Sequence, residues 1–153
     1  MDLLLWRHAE AADGKPDLAR ALTRHGHEQA RAMAQWLKKR LPAGTRLLSS
    51  PARRAQETAA ALGMPVETLD ELSTDAAPSA LIAAADWPDG KCTVLIVGHQ
   101  PTLGETAGVI LGPKGYQLSV RKGAVVWLRS PRRTIRDPAK LVLVMEPEML
   151  DKT

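Results

Sequence analysis

Phenylalanine is absent from this chain of 153 residues, and four tryptophans and one tyrosine are its only aromatic residues. Aliphatic side chains, chiefly Ala, Leu and Val, must therefore supply the core. So few stacking platforms argue against a single-stranded nucleic acid ligand. The formal net charge of +4 favours acidic or phosphorylated partners without specifying nucleic acid. With one cysteine, Cys92, neither an internal disulfide nor a cysteine-rich metal site can form, which fits a reducing compartment. The expected role of Cys92 is that of a small buried hydrophobe. Long apolar runs are also missing. Leu3-Leu4-Leu5-Trp6 is too short for a signal-peptide core, and no later run approaches the ~20 residues a bilayer needs. The expectation is a cytoplasmic protein without a membrane partner.

Several familiar catalytic patterns are incomplete. His27-Glu28-Gln29-Ala30-Arg31 begins like the zinc motif H-E-x-x-H but ends in Arg31, so the second ligand is lacking. His25 and His27, two residues apart at a helix start, do not share a face and are expected to be exposed. Gly112-Pro113-Lys114-Gly115 lacks the glycine spacing and the Lys-Ser/Thr pair of a nucleotide-binding loop and reads as a turn. Ser49 and Ser50 belong to no Ser-Asp-His order.

What is present is an alternation of short apolar runs and amphipathic stretches, the pattern of an α/β domain. Residues 1–153 are read as one domain, and a domain of this size buries roughly 68–70% of its unfolded surface. The expected architecture is a three-layer sandwich. Its central sheet has about six strands, mostly parallel with an antiparallel C-terminal strand, and helices cover both faces. Strands are expected at Leu3–Trp6, Arg46–Leu48, Val66–Leu69 and Thr93–Val97, with a final antiparallel pair at Ala124–Leu128 and Leu141–Met145. Helices are expected from Gly26 to Leu41, from Ser50-Pro51 to Gly63, from about Pro78 to Asp86, and after Pro101. Ser50 reads as an N-cap with Pro51 in the first helical position. The loop from Arg129 to Lys140 carries five basic residues against Asp137, a candidate contact for an acidic partner surface.

In open α/β sheets, functional groups collect at the carboxyl ends of the strands. Three such ends carry candidates: Arg7-His8, Ser49-Ser50-Pro51-Ala52-Arg53-Arg54, and Gly98-His99. Two imidazoles and a guanidinium from the Arg53-Arg54 pair would then converge with Arg7. Arginine presents a planar fork that matches phosphate oxygens, and a helix start adds partial positive charge. Nearby guanidinium charge disfavours imidazolium, keeping a histidine neutral and nucleophilic. A neutral His8 could attack phosphorus while the other groups stabilise the equatorial oxygens during in-line transfer.

These segments resemble the motifs of the histidine phosphatase (phosphoglycerate mutase-like) superfamily. Arg7-His8-Ala9-Glu10 is similar to its Arg-His-Gly signature. Leu22-Thr23 with Gly26, Glu28 and Ala30 resembles the opening of its first helix. Ser50-Pro51-x-x-Arg54-x-x-x-Thr58-Ala59 resembles its second arginine motif, and Val97-Gly98-His99 its second histidine motif. The match runs in order over nearly the whole chain, and the short length resembles the SixA-type phosphohistidine phosphatase branch. The resemblance implies His8 as the transiently phosphorylated nucleophile and Arg7, Arg54 and His99 as the phosphate pocket, with no metal and no organic cofactor. Its Ser-Pro-x-x-Arg spacing selects Arg54 over Arg53, which is expected at the rim. Ala9 replaces the family's glycine, and its small methyl is expected to be tolerated.

The general acid is the second departure. Members acting on alkyl phosphates use a carboxylate from the region after the third strand. Asp70, Glu71 and Asp75 are available there in no recognisable motif, and Glu10 is a further candidate. An alkoxide needs a proton to leave, whereas a protonated imidazole leaves readily. The short connection from Leu69 to Thr93 leaves little chain for a lid. Both features point to hydrolysis of phosphohistidine on a signalling or phosphotransfer protein, with inorganic phosphate as product. The alternatives are a small-molecule phosphomonoesterase of the same superfamily and a non-catalytic phosphoprotein-binding module.

Overall fold

Periodicity of two in the first strand organises the molecule. In the computed structural model, which describes residues 1–112, 116–130 and 138–150, Leu3, Leu4, Leu5 and Trp6 are all fully buried. They occupy β1 (Asp2–Arg7). Leu3 and Leu5 enter one core cluster, Leu4 and Trp6 the other. β4 (Val94–Gly98) divides in the same way, with Val94 and Ile96 on the first side and Leu95 and Val97 on the second. Successive side chains of a strand point to opposite faces, so an unbroken apolar run fits a sheet covered on both sides.

The covering layers are helical. Met33, Ala34 and Leu37 of α1 (Arg24–Lys38) and Ala55 and Ala59 of α2 (Arg53–Ala60) fill the Leu4 side. Leu81 of α3 (Pro78–Ala84) and Leu103 and Ala107 of α4 (Thr102–Leu111) fill the Leu3 side. Between them lies a six-stranded sheet of order β3-β2-β4-β1-β5-β6, completed by β2 (Arg46–Ser49), β3 (Glu67–Thr68), β5 (Val125–Arg129) and β6 (Lys140–Met145). β1, β2, β3 and β4 pair in parallel. β5 is antiparallel to both β1 and β6, so β6 again runs with β1 and β5 is the one reversed strand. The expected three-layer arrangement and the antiparallel C-terminal pair are both present.

Boundaries differ where caps decide them. Thr23 caps α1 by accepting a hydrogen bond from the Gly26 N–H at 2.9 Å, and the helix ends at Lys38 rather than Leu41. α2 starts at Arg53 with Ala52 at the cap position, not at Ser50-Pro51. The Ser50 hydroxyl accepts from the Ala52 N–H at 3.1 Å, closing a turn ahead of the helix. Cys92 is a free thiol, half-buried rather than enclosed. Most of the Arg129–Lys140 loop and part of the Gly112–Gly115 turn lie outside the described residues. Among the described residues, no helix is long and apolar enough to cross a membrane.

Candidate active site

The parallel strands deliver their carboxyl ends side by side. β4 lies between β1 and β2, with Arg7 in register with Gly98 and Ser49 with Val97. Beyond the strands the backbone stays tied: the His8 N–H donates to the Gly98 carbonyl and the Ser50 N–H to the Val97 carbonyl, each at 3.1 Å. Arg7-His8, Ser50 and His99 therefore emerge at one edge of the sheet, and α2 adds Arg54.

The His8 and His99 rings lie 5.2 Å apart, tilted by 53°, and both side chains are buried. Nδ1 of His8 sits 2.7 Å from the Ala9 carbonyl oxygen. A carbonyl can only accept, so Nδ1 carries the ring proton and Nε2 presents its lone pair. Burial is the main reason that the His8 pKa falls to about 3. The His99, Arg54 and Arg7 charges lower it further, against the raising effect of the Ala9 hydrogen bond. His99 falls to about 4, first through burial and then through Arg54. Desolvation thus outweighs the guanidinium effect expected from the sequence. Nε2 of His99 meets the Ser50 hydroxyl at 2.8 Å. With that hydroxyl donating to Nε2, the ring proton of His99 lies on Nδ1.

Both guanidiniums are anchored at one end. Arg7 donates from Nη1 to the Val120 carbonyl at 3.0 Å. Arg54 donates from Nη1 to the Asp17 carbonyl at 2.8 Å and from Nη2 to the Asp17 carboxylate at 3.0 Å. What remains is informative: Nε of Arg7, Nε of Arg54 and Nδ1 of His99 are buried and have no hydrogen-bond partner among the described residues. Buried donors are normally satisfied. Here three of them belong to one cluster, around a histidine with a free lone pair. Such a cluster can hold a tetrahedral oxyanion and place a nucleophile against its central atom. Among the described residues, no three His, Cys, Asp or Glu side chains gather as metal ligands would.

Arg53 and Arg54 part company as adjacent helical residues must. The Arg54 side chain is 5% exposed and that of Arg53 58%, the latter paired with Glu57 at 3.6 Å. Thr58 secures the arrangement: its hydroxyl donates to the Arg54 carbonyl at 2.7 Å and accepts from the Ala9 N–H at 3.0 Å. The Ala9 methyl packs into a small apolar cluster with Leu22 and Ala30. None of the carboxylate candidates hydrogen-bonds the His8 or His99 ring among the described residues. Glu10 accepts from the Thr23 hydroxyl at 3.1 Å. Asp70, Glu71 and Asp75 are exposed and enter no side-chain hydrogen bond or ion pair among the described residues. His25 and His27 are exposed on α1. Asp17 and the Val120 carbonyl carried no sequence signal, because each reaches the site from a segment distant in the chain, whereas Ser50 was read as a helix cap and not as a partner of His99.

Residues 3–74 match the model of the histidine phosphatase superfamily (branch 1). The chain is 35% identical over 114 residues to phosphohistidine phosphatase SixA of Escherichia coli (strain K12), covering 68% of this chain and 70% of that one. It is 33% identical to an uncharacterised protein of Picosynechococcus sp. (strain ATCC 27264 / PCC 7002 / PR-6), over 98% of this chain and 99% of that protein. The solved structure of a protein histidine phosphatase SixA complexed with tungstate superposes with a TM-score of 0.79 at 26% identity, over 97% of this chain and 99% of that one. The chain belongs to the histidine phosphatase superfamily, in its SixA-type branch, and is a phosphatase of that superfamily.

Proposed function

We propose that the protein hydrolyses phosphohistidine on a partner protein, through a transient phosphohistidine at its own His8. One observation carries the reading. His8 is buried and neutral, with Nδ1–H held by the Ala9 carbonyl, beside three buried donors on Arg7, Arg54 and His99 that have no partner among the described residues. Nε2 attacks phosphorus, and the three donors take the equatorial oxygens, whose negative charge persists through the transfer. Water then attacks the phosphorylated His8 and releases inorganic phosphate. Tungstate, named with the SixA relative, is a tetrahedral oxyanion of the kind this donor set suits.

The leaving group supports the choice of substrate. Glu10 is engaged by Thr23, Glu71 and Asp75 are exposed, and the Asp17 carboxyl is kept below the usual carboxylate range by Arg20 and Arg54, which leaves no protonated carboxyl to serve an alkoxide. Departing imidazole does not need one once its ring is protonated.

The test offers the purified protein a phosphohistidine-bearing phosphotransfer domain and a panel of sugar phosphates, with a chelator present. The expected result is dephosphorylation of the domain at a rate well above that of any sugar phosphate. Turnover of sugar phosphates without the protein substrate would assign a phosphomonoesterase. Tight phosphate binding without turnover of either would assign a binding module.

A further inference from the structure

An anion-binding cluster has a carboxylate at its edge. Asp17 lies in the loop between β1 and α1, and its Oδ2 accepts from Nη2 of Arg54 at 3.0 Å while Oδ1 accepts from Nη1 of Arg20 at 3.1 Å. Arg20 is itself fixed through Nε to the Ala12 carbonyl at 2.8 Å. The charge of Asp17 also acts on His99. Its side chain is 54% exposed against 5% for Arg54. Asp17 is therefore the member of this network that faces solvent, where the remainder of a protein-borne substrate must lie.

Holding Arg54 is part of its work, and its backbone carbonyl shares that task at 2.8 Å. A negative charge beside a site for a phosphoryl dianion needs a further reason. Hydrogen bonds from Arg20 and Arg54 keep the Asp17 carboxyl below the usual carboxylate range, so it cannot serve as the acid for an alkoxide. It can accept a hydrogen bond from a cation.

We propose that Asp17 receives the distal ring N–H of the substrate's phosphorylated imidazole and stabilises its protonated form, which makes N-phosphorylated imidazole the preferred substrate class. This deepens the proposed function and rests on it. In the first step the bond from Nε2 of His8 to phosphorus forms, and the bond from phosphorus to the substrate ring nitrogen breaks. The electron pair returns to the departing ring, which leaves as neutral imidazole with its distal proton in place. His8 then carries the phosphoryl group on Nε2 and a proton on Nδ1. Water adds its oxygen to phosphorus as the Nε2 bond breaks, giving dihydrogen phosphate and neutral His8. The two rings exchange roles across phosphorus, and each has an acceptor for its distal N–H: the Ala9 carbonyl for His8, the Asp17 carboxylate for the substrate.

The test compares N-phosphoimidazole with p-nitrophenyl phosphate, whose phenolate leaves without a proton, in the wild type and Asp17→Asn. Asparagine keeps an oxygen acceptor for Arg54 and removes the charge. The expected result is a loss in kcat/KM on N-phosphoimidazole that exceeds the loss on the aryl phosphate by about 10- to 100-fold, the scale of a hydrogen bond to a charged group. Parallel losses on both substrates, with unchanged thermal melting, would reduce Asp17 to a positioning residue for Arg54 and overturn the inference alone. A wild type that hydrolyses the aryl phosphate but not N-phosphoimidazole would overturn the substrate class and this inference together.

Discussion

Nδ1 of His8 donates to the carbonyl of Ala9, its own neighbour in the chain, at 2.7 Å. One local hydrogen bond thereby sets the tautomer, the ring orientation and the free Nε2 lone pair. Burial does the rest by keeping the ring neutral, and it does so for His99 as well.

Neutral buried histidines make stability sensitive to acid. Both rings have folded pKa values, about 3 for His8 and about 4 for His99, below the ordinary 6.5. Between those values the unfolded chain binds more protons, so stability rises with pH. The contribution is complete above about pH 6.5 and is lost as pH falls through the folded values. Urea midpoints between pH 7 and 4 should fall less steeply in His8→Gln and His99→Gln than in the wild type. Equal slopes would contradict the burial assigned to the two rings.

Thr58 joins the helix that carries Arg54 to the loop that carries His8. In Thr58→Val the buried N–H of Ala9 loses its acceptor, and an unsatisfied buried donor costs about 1–3 kcal/mol. Chemical denaturation should show a loss of that size, with kcat falling as the Ala9 carbonyl loosens its hold on His8. Thr58→Ser keeps the hydroxyl and should retain most of both.

Residue legibility followed chain locality. The convergence of Arg7, His8, Arg54 and His99 was readable because each sits at a strand end or beside a turn within a short, ordered motif. Ser50 was visible but misassigned. Ser-Pro has the composition of a helix start, yet the chain uses it for a preceding turn, and that leaves the hydroxyl available to His99. The alternating burial of β1 and β4 was implied by their unbroken apolar runs. Strand order, and the fact that β5 alone is reversed, depend on crossovers that periodicity does not encode. Asp17 opens a single 3-10 turn and Val120 lies in an irregular segment, and only folding brings them to Arg54 and Arg7.

Val120 depends on a close packing that its own residues do not reveal. A Cβ at Gly104 of α4 would collide with the backbone carbonyl of Leu118, so the helix and the segment leading to Val120 touch as only glycine permits. Gly104→Ala should push that segment outward and take the Val120 carbonyl from Arg7. Calorimetry should find tungstate bound about 10- to 100-fold more weakly, the scale of one hydrogen bond to a charged group.

Arg53 and Arg54 offer an internal comparison. Removing one donor aimed at developing charge costs about 10²–10³ in kcat, which is the loss expected for Arg54→Ala. Arg53→Ala breaks only an exposed pair with Glu57, worth about 0–1 kcal/mol of stability, and should leave turnover close to the wild type. The reverse pattern in steady-state kinetics would mean that Arg53 serves the site.

Everything proposed for this site turns on whether His8 carries the phosphoryl group. The direct measurement is to quench the protein during turnover of a radiolabelled phosphohistidine domain and to map the label. The expected result is an acid-labile, alkali-stable phosphoryl group on His8, absent in His8→Ala together with turnover. Label at another residue, or hydrolysis that survives in His8→Ala, would contradict it.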